Sequence, residues 1–174
     1  MRDAGAPSRG WRQRGESGTS DDMVPPNDSR IHRRLVDSLH VEAMVLADEA
    51  RSYFDEAGRT EREALDPLDR VGFSCESLKV TTRLMHVIAW LLTQRAVHAG
   101  ELAPREALHP SRRLGEPPRT DPSAVAMLPA RARALIDASA ELHRRVAHLD
   151  GSLLGAEPSL SPVHGMQERL ALAF

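Results

Sequence analysis

Cysteine and aromatic side chains are scarce in this chain. Cys75 is the single cysteine among 174 residues, which excludes an internal disulfide and a multi-cysteine metal site. Because Cys75 falls in an apolar row, we interpret it as a buried, inert thiol. Aromatic residues make up 3% of the chain against a hydrophobic content of 41%. That composition favours helices over a sandwich or a barrel, which would need more aromatic and β-branched residues.

Long apolar runs and an excess of one charge are also missing. The N-terminus lacks the apolar segment of a secretory signal. The most apolar run, residues 84–92, contains His86 and is much shorter than the ~20 residues of a membrane span. The net charge of −2 provides no positive field for nucleic acid or an anionic membrane. The sequence therefore predicts a cytoplasmic protein that does not insert into a membrane and does not favour nucleic acid.

The stretch 66–99 organises the chain. Asp66 followed by Pro67 is typical of a helix start, and Gly100 is typical of a helix end. Between them, two apolar rows repeat at alternating spacings of four and three. The first row consists of Val71, Cys75, Leu78, Thr82, Met85, Ala89, Leu92 and Ala96. The second row consists of Phe73, Ser77, Val80, Leu84, Val87 and Leu91. The rows lie about 200° apart, so we expect this helix to be covered on both sides.

Two further helices are predicted over residues 29–57 and 128–150. Alanines recur in the first and would let another helix approach closely. The last has a regular seam from Leu128 to Leu153 in steps of four and three. Three long helices predict an all-α fold, in which residues 28–155 form an antiparallel, up-down-up three-helix bundle with the long central helix in the middle.

The remaining segments differ in composition. Residues 1–27 mix Gly, Ser, Arg, Asp and Pro without apolar periodicity, and we expect them to be disordered. Residues 100–127 are proline-rich, with a basic pair at Arg112 and Arg113. Since antiparallel helices need only a short link, this loop is expected to be largely surplus and mobile, with helical turns near 104–108. The C-terminal tail, 156–174, is either docked on the bundle or free for a partner. It carries Met166, Leu170 and Phe174 at a spacing of four.

No arrangement of residues indicates chemistry. The histidine pairs 32/40, 86/98 and 143/148 lack the three- or four-residue spacing of a helical metal site. No glycine-rich phosphate loop and no carboxylate pair in an apolar setting is present. We therefore expect no enzymatic activity, no metal and no cofactor.

The second row of the central helix is the predicted binding face. A three-helix bundle covers the first row well and the second incompletely, which favours a two-fold homodimer or a partner at the second row. This face comprises Phe73, Val80, Leu84, Val87 and Leu91. Arg83 and Arg95 either keep their charges in water or pair with a partner, and Trp90 is either core or a contact anchor.

Four segments carry a family resemblance. Residues 78–97 read LKVTTRLMHVIAWLLTQRAV and residues 46–54 read LADEARSYF; residues 128–131 read LPAR and residues 162–164 read PVH. Across roughly residues 31–174, the chain resembles the regulator of CtrA degradation (RcdA) family of alphaproteobacterial cytoplasmic proteins.

The resemblance implies a non-enzymatic adaptor for regulated proteolysis in the cell cycle. Such a protein is a dimeric three-helix bundle with a flexible C-terminal tail needed for activity. It engages the ClpX-type unfoldase of the ClpXP protease after priming by a response-regulator adaptor, and it hands over protein substrates. Residues 162–174 would then be the partner segment. The alternative is a helical oligomerisation or transcription-associated module with another protein partner.

Overall fold

The computed structural model describes the backbone of residues 26–155 and the side chains of residues 30–153. Over this range the chain is helical and contains no strand. The long helices are α1 (Pro26–Ser52), α3 (Pro67–His98) and α6 (Ala130–Gly155). The short elements are a π-helical turn (Tyr53–Ala57), α2 (Arg59–Glu63), α4 (Pro104–Ala107), a 3-10 turn (Pro110–Arg112) and α5 (Pro122–Ala126). The all-α fold with a long central helix is confirmed.

Within the described range, no helix is long and apolar enough to cross a membrane.

The central helix α3 packs against both α1 and α6, and α1 also contacts α6. Helix α1 is antiparallel to α3, because Phe54 packs against Phe73 at one end and His32 packs against His98 at the other. The ring centroids are 5.2 and 5.4 Å apart, respectively. Helix α6 is antiparallel to α1, since Arg131 pairs with Glu49 and Arg145 with Glu42.

Helix α6 runs parallel to α3, and here the structure corrects the up-down-up expectation. Arg83 of α3 bonds Ser139 of α6, and seven residues later Trp90 bonds Asp150. The order is therefore up-down-down. The physical reason is the length of residues 99–129, hereafter the connector. An extended chain needs only ~15 residues to return along the ~48 Å of α3, so the connector can bring α6 back to the first end.

The connector packs on α3 as it returns, through α4, the 3-10 turn and α5. Ala107 and Val125 are buried, at 5% and 9% exposure. The prediction of helical turns near residues 104–108 agrees with α4. The prediction of a surplus, mobile loop is wrong, because this segment is a packed crossover.

The structure reverses the predicted roles of the two rows of α3: the second row is buried within the bundle and the first row faces outward. Large side chains of the second row form the core, at no more than 3% exposure: Phe73, Val80, Leu84, Val87 and Leu91. The first row faces outward, and Cys75 is exposed rather than buried. Residue size favours this choice. The second row contains Phe73 and one small residue, Ser77, whereas half of the first row is small: Cys75, Thr82, Ala89 and Ala96. Burying the larger side chains removes more apolar area from water.

We predict that Leu84→Ala lowers the free energy of unfolding by about 2–5 kcal/mol, because it leaves a cavity where α3 meets its neighbours. Leu68→Ala is the matched control: Leu68 lies on the same helix and is 81% exposed, and its substitution is expected to cost less than about 0.5 kcal/mol. Urea denaturation measures both. Equal losses would contradict the burial of the second row.

Candidate protein-binding surfaces

The outward side of α3 carries an apolar strip along most of the helix. We call it the outer row: Val71, Cys75, Leu78, Met85 and Leu92. The four aliphatic side chains of the row are 48–68% exposed, and the row extends about 32 Å. A line of apolar side chains left in water is typical of an interaction surface. Helix α3 therefore has two apolar sides as predicted, but the side that faces outward is the first row and not the second.

Of the remaining residues predicted on the face, the structure buries two and exposes one. Trp90 is 1% and Arg83 2% exposed, so Trp90 belongs to the core and the Arg83 charge is enclosed. Arg95 is exposed, and its Nε lies 3.1 Å from a carboxylate oxygen of Asp37 on α1. An Arg95 Nη1 atom also lies 3.5 Å from Nδ1 of His40. Arg95 thus joins α3 to α1 within the chain.

Arg83 is the centre of a buried polar network that fixes the connector. Its guanidinium donates to Ser139 Oγ on α6 at 3.2 Å, to the Pro118 carbonyl at 3.3 Å and to the Thr120 hydroxyl. Thr120 in turn donates to Glu76 Oε2 at 3.0 Å. Burial lowers the pKa of Arg83, and the Glu76 carboxylate, 4.0 Å away, opposes that shift. The network ties residues 118–120 to both α3 and α6.

Asp150 is the centre of a second network. Its Oδ1 accepts from Trp90 Nε1 at 2.7 Å and from Arg113 Nε at 2.7 Å, while Oδ2 accepts from Arg113 Nη2 at 2.8 Å. The two-pronged Arg113–Asp150 contact is the stronger kind of charge-assisted pair. Hydrogen bonding to Asp150 raises the pKa of Arg113. This network joins α3, α6 and the connector.

Gly115 lies between two histidine rings, one from each long helix. His143 Nε2 of α6 donates to the Gly115 carbonyl at 2.9 Å. A Cβ placed on Gly115 would lie 2.7 Å from the ring of His86 on α3, so only glycine fits here without displacement. Burial lowers the pKa of His143. The hydrogen bond to the Gly115 carbonyl opposes this shift, whereas the nearby His86 and Arg83 side chains add to it. The neutral ring is therefore favoured in the folded protein.

Sequence reasoning missed these networks, although one signal was present. Glu76, Arg83 and Trp90 follow one another at intervals of seven residues and therefore lie one above another on α3. Polar or hydrogen-bonding side chains repeating along the flank of a buried row need partners. The partners come from α6 and from the connector, and in the connector no periodicity identifies them.

The remaining predicted features give no further site. Among the side chains of residues 30–153, no group of three or more His, Cys, Asp or Glu could hold a metal ion. The tail residues Met166, Leu170 and Phe174 lie outside the described range, as does the predicted disordered segment except for its last two residues, which belong to α1.

The chain is similar to one protein family and to known structures. The family model described as "Protein of unknown function (DUF1465)" matches residues 27–174. Among solved structures, RcdA from Caulobacter crescentus CB15 is 36% identical with a TM-score of 0.57. That alignment covers 68% of this chain and 90% of the RcdA chain. None of the curated proteins gives a significant match.

We predict that Asp150→Ala destabilises the protein by about 2–3 kcal/mol, because Trp90 Nε1 and the Arg113 guanidinium lose a charged acceptor. The control is Glu141→Ala, also on α6, which removes an exposed pair with Arg144 and should leave the stability nearly unchanged, because solvent screens that pair. Thermal and urea unfolding measure both variants. A loss no larger than that of Glu141→Ala would show that the Asp150 network does not hold the connector.

We predict that Gly115→Ala destabilises the protein by about 1–3 kcal/mol, because the new methyl group displaces the His86 ring. Gly151→Ala is the control and should change the stability in the opposite direction. A Cβ at Gly151 in α6 meets nothing within 4 Å, so alanine should stabilise that helix by up to about 1 kcal/mol. The two melting temperatures should move in opposite directions, and a stabilised Gly115→Ala protein would contradict the close approach.

Proposed function

Because the chain belongs to the RcdA family, we propose that it is a cytoplasmic, non-enzymatic adaptor that tethers cell-cycle substrates to the ClpXP protease. The supporting observation is the 36% identity to RcdA over 90% of that chain. The proposed partners are a ClpX-type unfoldase, a priming response-regulator adaptor and the protein substrates. Such an adaptor works by presenting surfaces to several proteins.

The described residues suit this role. Networks at Arg83, Asp150 and Gly115 hold the connector on the bundle, so the surface made by α3, α6 and the connector has a fixed shape. A surface that keeps its shape binds with a smaller loss of conformational entropy than a loose one.

The proposal includes a homodimer, with its face assigned to the outer row of α3. A second copy related by two-fold symmetry would place the same apolar strip opposite itself. Each valine, leucine or methionine that becomes fully buried contributes about 1.5–3 kcal/mol. The second row is buried within the protomer and is not part of this proposed face: Phe73, Val80, Leu84, Val87 and Leu91.

A pull-down with ClpX tests the adaptor proposal. The chain should be retained by ClpX in the presence of the priming regulator and poorly without it, and added chain should accelerate degradation of a bound substrate by ClpXP. A chain that dimerises but is retained under neither condition would contradict the proposal and favour the helical oligomerisation module.

We predict that truncation after Leu160 leaves the melting temperature nearly unchanged, because all residues of the described core precede it. The same truncation should abolish substrate delivery, since the removed segment contains Met166, Leu170 and Phe174. Degradation of a substrate by ClpXP, with full-length chain as the control, measures the effect. Delivery at the full-length rate would refute a role for the tail.

We predict that Met85→Glu weakens the homodimer at least about 100-fold, since burying a carboxylate between apolar rows costs ~3 kcal/mol or more. Met127→Glu is the matched control, because Met127 is 61% exposed against 65% for Met85 and lies outside α3. Sedimentation velocity across micromolar concentrations measures both. A monomeric wild type, or an unaffected Met85→Glu dimer, would contradict the assigned face.

A further inference from the structure

A groove on the connector combines positive charge with one apolar side chain. It lies along α4 and the 3-10 turn and encloses about 630 Å³. Its lining consists of Arg105, Glu106, Leu108, His109, Ser111 and Arg112. Leu108 is 42% exposed within this lining. We call this the connector groove.

The groove has unsatisfied positive charge. Among the described residues, neither Arg105 nor Arg112 has an ion-pair partner. The one acid in the lining, Glu106, has its Oε2 3.1 Å from the Ala103 amide, from which it accepts a hydrogen bond. His109 and Ser111 bond each other at 2.8 Å. Two arginines around an exposed leucine therefore suit an occupant with carboxylates next to an apolar residue.

The chain itself carries such a segment. Residues 21–24 read Asp-Asp-Met-Val and are separated from α1 by one residue, Pro25. The His32–His98 contact places the first turns of α1 beside the last turn of α3. Helix α4 begins at Pro104, a few residues beyond that turn. Residues 21–24 are thus attached at the end of the bundle where the connector groove lies, with ~17 Å of extended chain between Asp21 and Pro26.

We propose that residues 21–24 of the same chain dock in the connector groove. Asp21 and Asp22 pair with Arg105 and Arg112, and Met23 or Val24 covers Leu108. Each exposed ion pair alone is weak. The short tether compensates, because it raises the local concentration of the segment to the millimolar range. The inference is independent of the proposed adaptor role.

Nuclear magnetic resonance on the full-length chain tests the docking. Asp21→Lys with Asp22→Lys should shift the backbone amide resonances of residues 105–112, because the displaced segment leaves the groove. Asp3→Lys with Glu16→Lys makes the same change in net charge farther from α1 and should leave those resonances in place. Raising the salt concentration should shift the wild-type resonances in the direction of the first variant.

Charge exchange supplies the specific control. Arg105→Glu with Arg112→Glu should abolish docking, and combining it with Asp21→Lys and Asp22→Lys should restore docking. The proposal would be overturned if the amide resonances of residues 105–112 were the same in the Asp21/Asp22 and the Asp3/Glu16 lysine variants. It would also be overturned if the combined variant did not restore docking. A dependence of the 105–112 shifts on protein concentration would assign the segment to a second copy and would also overturn it.

Discussion

The fold depends on satisfying the polar side chains that α3 carries into the interior. Glu76, Arg83 and Trp90 lie one above another on the helix, and each has a polar atom that would cost free energy if it were buried alone. Helix α6 supplies Ser139 and Asp150, and the connector supplies Thr120 and Arg113. The connector thus encloses these polar side chains together with α3 and α6.

The parallel course of α6 places the connector beside these polar side chains. A short link would have placed α6 antiparallel to α3. No part of the connector would then have lain beside Glu76, Arg83 and Trp90. The crossover instead brings backbone carbonyls to Arg83 and His143, at Pro118 and Gly115. The chain uses these carbonyls as partners for polar groups that neighbouring helices, with their own carbonyls already bonded, satisfy less readily.

The sequence predicted the elements well and their arrangement less well. Helix α3 begins and ends within one residue of its predicted bounds, and Gly100 adopts the left-handed conformation expected at a helix end, with φ 75°. Local chemistry sets these features. The direction of α6 and the choice of buried row are not local. The four-three spacing of apolar residues in α6 is the same in both chain directions, so it does not predict the direction of the helix. The two rows of α3 have the same period, so only the packing of the larger side chains decides which row is buried.

Parallel α3 and α6 also give the molecule two unlike poles. Pro26, where α1 begins, and Gly155, where α6 ends, both lie at the pole near His98, whereas an up-down-up order would have separated them by the length of the bundle. Both terminal extensions therefore start from one pole, and the other pole, around Phe54 and Phe73, carries the π-helical turn and α2. A partner that binds both extensions close to Pro26 and Gly155 would meet the bundle at that single pole, and the flank bearing Met85 would remain open beside it.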